Sequence, residues 1–479
     1  MHDVLIIGAG ITGASLAYRL SRYQADVLVL EKENDVSLGC SRANTAIVHG
    51  GYDPAPDTLM GKFNVEGAYM CMELCDKLDV EFKKCGSYVV AFSQPEGKTL
   101  EKLYQRGLEN GCQGLEILSG VELRHREPQL SGEIVAALWI PDSGVINPWE
   151  FTLAMMQVAV REGVTLRLGE EVTEIRPREG EGYTIETPKG SYEARYVVNA
   201  TGVHSAEVHN MVAEPAFEIT PTRGEYFLLD RSVGDIVKSV IFQCPTEKGK
   251  GVLVSPTVHG NILVGPNAEV IQDLEDTSVT RKNLDTIFQQ AKRSVPSLDV
   301  RMNIRNYAGI RPNSPYGDFF VKISAPHFLD ISAIKSPGLT CAPRTAEYAI
   351  ELLEGDGLNL SEKATWNGTR KVTRFKEIPR EEREAFIEKH PLYGRVICRC
   401  ETITEGEIVD AIHMPITPVS LDGIKRRCGT GMGRCQGGFC GPKVLEILCR
   451  ETGIRPEEVM QDKAGSYLFT GKTKEEDPS

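Results

Sequence analysis

The chain has 479 residues, with 54 Lys and Arg against 67 Asp and Glu, a net charge of -13, and 41% hydrophobic residues. At roughly 150 residues per domain this length allows about three domains, and the acidic balance excludes a nucleic-acid backbone as the main partner. No apolar run approaches the roughly 18 residues that a membrane-spanning helix needs, and an odd count of 13 cysteines argues against a disulfide framework.

Val4-Leu5-Ile6-Ile7 is a short apolar run and predicts a strand. Gly8-Ala9-Gly10-Ile11-Thr12-Gly13 follows, and Leu16, Ala17 and Leu20 recur at helical spacing. A second strand, Val27 to Leu30, ends in Glu31. This is the opening βαβ unit of a dinucleotide-binding fold. Gly8 permits the tight turn, Gly10 lets the backbone approach a pyrophosphate, and Gly13 lets the helix pack on the strand. Glu31 is placed for the adenosine ribose, with Lys32 beside it in the cofactor site. Because the motif starts at residue 4, no cleaved leader is expected, and the expected location is the cytoplasm, or the inner membrane only through a partner.

Residues 147 to 162 predict a helix, and three strand-like pieces lead to Tyr196-Val197-Val198-Asn199-Ala200. Residues 216 to 265 alternate strand patterns with turns such as His259-Gly260-Asn261, which predicts a separate antiparallel sheet. Between 370 and 389, 12 of 20 residues are charged, which reads as a solvated connector. Six cysteines (Cys398, Cys400, Cys428, Cys435, Cys440 and Cys449) fall in the last fifth, and the scattered remainder read as small apolar core residues. Thr404 to Glu407 forms a capping-box pattern, and Cys440 opens a helix through Val444, Leu445 and Leu448. Residues 470 to 479 carry no large apolar side chain and predict a disordered tail.

Four further segments occur in order: Ser41-Arg-Ala-Asn44-Thr45-Ala-Ile-Val-His49-Gly50-Gly51, Val198-Asn199-Ala200-Thr201-Gly202, Ala308-Gly309-Ile310-Arg311-Pro312 and Ser336-Pro337-Gly338-Leu339-Thr340. Together they resemble the motifs of the D-amino-acid oxidase superfamily of flavoproteins. The likeness is strongest to L-2-hydroxyglutarate oxidases and to the catalytic subunit of anaerobic glycerol-3-phosphate dehydrogenases. It covers residues 1 to 365 and implies an α/β fold: a Rossmann-like FAD-binding lobe (about 1–80, 140–215 and 325–365) interleaved with an antiparallel-sheet substrate lobe (about 81–139 and 216–324). A charged connector (366–393) and a small helical domain (394–460) follow. The resemblance implies that Ser41, Asn44 and Thr45 line the flavin, that the backbone near Val172 holds the adenine, and that Ala200 and Gly202 pass the pyrophosphate. It also implies that the turn Gly338, Leu339, Thr340 precedes a helix, Thr345 to Leu353, facing the flavin's pyrimidine end. A helix N-terminus there stabilises the negative charge of reduced flavin. No second GxGxxG occurs, so NAD is not expected.

Oxidising a CH-OH or CH-NH carbon needs a base near the leaving proton and a fixed cation for an anionic substrate. Arg311 sits in the motif resembling the family's substrate-anion arginine, and His49 is placed to act as base or to orient the flavin. Tyr52, Lys62, Arg223, Tyr226 and Lys335 are weaker candidates, each read first as structural or solvent-facing. After Gly51 the chain continues Tyr52-Asp53, where many glycerol-3-phosphate dehydrogenases carry Arg-Tyr, which weighs against a phosphate-bearing substrate.

Cys398-Arg-Cys400 and Cys435-Gln-Gly-Gly-Phe-Cys440 resemble the 2Fe-2S domain of the bacterioferritin-associated ferredoxin type. The resemblance makes these four cysteines the ligands and leaves Cys428 and Cys449 outside, although Cys428 could replace one. A zinc site is the other chemistry that four cysteines allow. Arg395, Arg399, Lys425, Arg426, Arg427 and Arg434 are placed to offset the cluster's charge. The expected activity is therefore an FAD-dependent dehydrogenase acting on glycerol 3-phosphate or a small anionic 2-hydroxy acid. Electrons would pass through the cluster to an NAD-linked flavoprotein or a membrane-associated subunit. An L-2-hydroxyglutarate or amino-acid oxidase, and a non-catalytic electron-relay subunit, are the alternatives.

Overall fold

Val4 to Ile7 bury four consecutive apolar side chains, a pattern met only where a strand is covered on both faces. The strand His2–Ile7 accordingly lies in the centre of a sheet, pairing in parallel with Val27–Glu31 on one side and with the end of Gly190–Asn199 on the other. Thr165–Leu168 continues the parallel sheet beyond Val27–Glu31, and Phe328–Ser332 continues it beyond Gly190–Asn199. In chain order the five parallel strands run third, second, first, fourth, fifth. The order reverses at the first strand, and ligands bind outside the carboxyl ends at such a point. Helices Ile11–Leu20, Leu59–Leu78, Pro148–Arg161 and Gly338–Gly355 bury Leu16, Phe63, Phe151 and Leu353 in one core against this sheet.

The computed structural model describes residues 1–245, 251–469 and 471. The predicted tail, 470–479, lies outside the described residues except for Gly471. The helix read over 147 to 162 is Pro148–Arg161, its first turn capped by the Asn147 side chain, which accepts from the Glu150 amide at 3.2 Å. The predicted turn Gly338 to Thr340 is instead the first turn of the helix, which starts at Gly338 and accommodates Pro343. Gly and Pro conceal helix propensity, but burial of Cys341, Ala342 and Ala346 against the core outweighs it.

The second lobe holds a nine-stranded sheet that is mixed, not antiparallel. Val240–Gln243 runs parallel to Ser87–Ala91, while the other pairs are antiparallel. The two strands come from separate excursions of the chain out of the first lobe, and a parallel neighbour requires such a long crossover. Tyr88 and Val90 face one core with Phe227 and Phe288, and Val89 and Ala91 face another with Tyr52 and Phe242. This is the period-2 alternation of a strand covered on both sides.

The charged segment after residue 365 is less solvated than its composition predicts. Trp366 Nε1 donates to Ser21 Oγ at 3.1 Å, and the buried Arg370 and half-buried Arg374 pair with the Glu150 carboxylate at 3.3 and 2.9 Å. Its charges read as a solvent-facing run only because Glu150 is remote in sequence. Beyond it, the hairpin Val396–Cys398 with Ile403–Thr404 and the helices Glu405–Ile412, Leu421–Cys428 and Gly441–Thr452 close around Ile408, Ile424 and Leu448. The capping box at Thr404 and Glu407 is formed in both directions. Among the described residues no helix is long and apolar enough to cross a membrane.

Candidate active site and metal centre

A cavity of about 1500 Å³ opens at the carboxyl ends of the parallel strands and extends between the two lobes. The glycine loop forms its floor. Gly8 has φ +101°, and a Cβ there would lie 2.6 Å from the Ala200 carbonyl oxygen. A Cβ on Gly13 would overlap the Gly8 carbonyl, so Gly13 serves helix packing behind the cavity. Gly10 meets only Ser41 Oγ, at 3.2 Å, and leaves the floor open. Glu31 accepts the amides of Ala9 at 2.6 Å and Glu33 at 3.0 Å, so its carboxylate braces the loop as well as lining the cavity. Burial raises its pKa, and those two amides offset part of the rise. Lys32, at the rim, is engaged by Glu275 and His204. Val172, Ala200 and Gly202 line the same end.

Ser41 to Gly51 wraps the middle of the cavity. Ser41 Oγ accepts the Ile11 amide at 2.8 Å, at the start of the first helix. Asn44 staples the loop, donating to the carbonyls of Cys40 and Ser41 and accepting from the Ala46 amide at 2.7 Å. Thr45, Gly338 and Leu339 also line the cavity. Thr340 lies behind the wall, where its Oγ1 accepts the His49 amide at 3.0 Å. The His49 ring has Nε2 3.4 Å from Ser336 Oγ and faces Phe242 with centroids 5.8 Å apart.

Arg311 reaches the cavity from strand Asn303–Asn313. Its guanidinium donates to the Asn267 carbonyl at 3.3 Å and to the Tyr226 hydroxyl at 3.4 Å, and among the described residues no carboxylate pairs with it. Arg223 is different: it is buried against Glu269, Glu225 and Asp276, a structural role as expected. Tyr226, read as structural, lines the cavity beside Arg311 and stacks on Tyr307 at 4.7 Å. The sequence offers Tyr226 only as a weaker candidate and gives Tyr307, Asn267 and Ser336 no role. Counting back in twos from Arg311 reaches Gly309 and Tyr307 on the same strand face, and Tyr226 is the cross-strand partner of Tyr307. Of the departing Tyr52-Asp53 pair, Tyr52 is buried in the substrate-lobe core, whereas Asp53 lines the cavity.

In the C-terminal module Cys398 Sγ lies 3.8 Å from Cys400 Sγ, which lies 3.9 Å from Cys435 Sγ, and the Cys440 thiol is hydrogen-bonded to Cys398. The Cys440 thiol and the amides of Gly431 and Glu401 hold Cys398 down to about 5, while Cys440 is pushed up. A Cβ on Gly433 would sit 2.5 Å from Cys400 Sγ, so the glycine-rich loop can wrap the sulfurs. Amides aimed at a thiolate and a loop of small residues fit a 2Fe-2S cluster. Burial pushes Cys428 up to about 12, and its thiol turns to the Ile424 carbonyl at 3.4 Å.

Most of the basic residues expected to offset the cluster are committed elsewhere. Arg427 and Arg426 pair with the buried Asp35 at 2.8 and 3.2 Å, Arg434 with Asp230 at 2.8 Å and Arg395 with Glu405 at 2.8 Å. Asp462 joins Arg426, at 2.7 Å, to Arg42 of the flavin loop, at 2.6 Å. Lys425, Met432 and Gln436 line the cavity, so the cysteine module supplies part of its wall.

A dinucleotide cavity between two lobes, closed on one side by a thiolate-rich module, defines an oxidoreductase with a second redox centre. Residues 3–352 match the family FAD dependent oxidoreductase, and residues 396–450 match the BFD-like 2Fe-2S binding domain. The chain belongs to the FAD dependent oxidoreductase family, and its cofactors are FAD and a 2Fe-2S cluster. It is 46% identical over 479 residues to a glycerol 3-phosphate dehydrogenase of Caloramator mitchellensis, covering 99% of this chain and 100% of that one. L-2-hydroxyglutarate dehydrogenase of Escherichia coli K12 is 31% identical over 274 residues, 56% of this chain and 64% of that one. The solved dithionite-reduced L-alpha-glycerophosphate oxidase of Mycoplasma pneumoniae, with FAD bound, superposes with a TM-score of 0.74 at 32% identity, over 78% of this chain and 99% of that one. The expected superfamily, α/β fold and both cofactors are thereby borne out.

Proposed function

We propose that the protein oxidises the secondary hydroxyl of glycerol 3-phosphate to a ketone and passes the electrons to a separate acceptor protein. The observation that carries this reading is Arg311, a cavity guanidinium whose partners among the described residues are neutral oxygens. Such a group keeps its fork for a dianionic phosphate and binds it through paired, charge-assisted hydrogen bonds. The full-length similarity to a glycerol 3-phosphate dehydrogenase supports the same substrate. His49 is the residue to take the hydroxyl proton, with Ser336 and Phe242 fixing its ring. Tyr226, stacked on Tyr307, fixes the arginine's angle.

Gly8, Gly10 and the start of helix Ile11–Leu20 would hold the pyrophosphate, with Ser41, Asn44, Thr45, Gly338 and Leu339 along the flavin. Cys398, Cys400, Cys435 and Cys440 would hold the cluster. When bound, FAD accepts two electrons from the substrate carbon and the cluster hands them on singly. The test is anaerobic mixing of the holoenzyme with glycerol 3-phosphate or L-2-hydroxyglutarate. Flavin bleaching by the former alone is expected, and bleaching by the latter alone moves the chain to the hydroxy-acid branch.

A further inference from the structure

The four cysteines that would hold the cluster are unevenly buried in their module. Cys398 and Cys440 are buried, whereas Cys400 is exposed, so one edge of the thiolate set faces outward. Phe439, directly before Cys440 in the chain, is 85% exposed, more than any other large hydrophobic side chain among the described residues. A packed chain leaves a lone aromatic this open without need of explanation, but here the ring flanks a cluster ligand.

The charge around that edge is the second observation. The ligand-bearing segments 395–400 and 434–443 contain Arg395, Arg399, Arg434 and Lys443 and no acidic residue, in a chain whose net charge is -13. Each of these cations is within three positions of a cluster cysteine, and the sulfurs themselves are linked at 3.8 and 3.9 Å. Arg395 and Arg434 are paired, with Glu405 and Asp230. Arg399 and Lys443 are exposed, and among the described residues no carboxylate pairs with either. Nearby, Glu401 is taken up by Arg231.

The geometry points to this edge as the docking surface for the electron acceptor, a one-electron redox protein with an acidic rim around its own exposed centre. The inference rests on the reading that electrons leave through the cluster, and it names where they leave and to what kind of partner. The ligand-bearing segments thus offer one exposed apolar side chain, Phe439, and two exposed cations, Arg399 and Lys443, the side-chain types that a small transient interface uses. Opposite charge across such an interface acts mainly on the encounter rate, and salt screens it. Through the rest of its surface an acidic protein repels an acidic partner. A local basic edge therefore also fixes the orientation in which the two centres meet.

The test uses holoenzyme reduced by glycerol 3-phosphate and two probes of opposite charge, the acidic haem protein cytochrome b5 and the basic cytochrome c. Reduction of cytochrome b5 is expected to slow several-fold as ionic strength rises from about 0.02 to about 0.2 M, because the Debye length shortens over that range. Lys443→Glu and Arg399→Glu should each slow it about tenfold at low salt, and Phe439→Ala should slow it at every salt concentration. Flavin bleaching, turnover with an uncharged dye, iron content and cluster potential should hold in Lys443→Glu and Phe439→Ala. The proposal is overturned if cytochrome b5 reduction ignores salt and both charge reversals, if cytochrome c shows the attractive salt dependence instead, or if sedimentation shows the Phe439 face buried in a dimer. A shift of cluster potential in Arg399→Glu with no change in salt dependence would give that arginine a tuning role and likewise overturn its part. Should glycerol 3-phosphate fail to reduce the enzyme, the same arms run on dithionite-reduced, desalted protein, so that failure of the substrate reading leaves the surface testable.

Discussion

At the scale of single residues, the proposed chemistry rests on Arg311 and His49. Losing a charge-assisted contact to a substrate anion costs about 2 to 5 kcal/mol, and about 1.4 kcal/mol is a factor of ten. Arg311→Ala should therefore raise the KM for glycerol 3-phosphate at least tenfold with FAD and iron retained, and Arg311→Lys should recover little because an ammonium has no planar fork. Unchanged kinetics in Arg311→Ala would remove the residue from the site. His49→Asn should lower kcat by about 10² to 10⁴ while flavin content holds, measured by stopped-flow bleaching. Gly8, Gly10 and Gly13 were legible from the spacing of one contiguous motif, and Arg311 and His49 became candidates because they sit in segments that resemble the family's motifs. The place of Tyr226 beside Arg311 was not legible, because it depends on pairing with Tyr307, far along the chain, which no local pattern specifies.

Among the elements, helix Leu421–Cys428 matters most for how the two redox modules are joined. Its Arg426 and Arg427 neutralise Asp35, which follows the strand Val27–Glu31 and is buried. Burial alone would raise the Asp35 pKa, but Arg427 and Arg426 more than reverse it, so the carboxyl ends below its usual range. Asp462, between Arg42 and Arg426, is lowered by the same balance. A carboxyl whose folded pKa is depressed stabilises the fold above its unfolded pKa of about 3.9 and loses that contribution as pH falls through the folded value. The joint should thus hold at neutral and mildly acidic pH and weaken only below roughly pH 4. Asp35→Asn should remove that acid dependence and destabilise the protein by about 3 to 5 kcal/mol at neutral pH, as breaking a buried pair does. Melting curves across pH, wild type against variant, check both; parallel curves would deny Asp35 the role. The basic run 425–427 was visible in the sequence, but it read as compensation for cluster charge. A helix pattern gives the face that carries charge and not the carboxylate that meets it.

For the whole molecule, the order of modules was legible because each begins with its own signature, the glycine loop at the N-terminus and the CxC pair near residue 398. The mixed second sheet was not, since the parallel pairing of Val240–Gln243 with Ser87–Ala91 joins segments about 150 residues apart. Nor was the degree of contact between modules, with Lys425, Met432 and Gln436 forming part of the cavity wall. That shared wall is the structural basis for the central claim that substrate oxidation and the cluster belong to one electron path. The direct measurement is anaerobic rapid mixing of glycerol 3-phosphate with the wild type and with Cys435→Ser, following flavin absorbance and the paramagnetic signal of the reduced cluster together. The wild type should bleach its flavin and develop the cluster signal in the same reaction, and Cys435→Ser, depleted of iron but holding FAD, should bleach without it. A cluster that stays oxidised beside fully reduced flavin, with rapid stoichiometric peroxide formation on admitting air, would contradict the account and describe an oxidase.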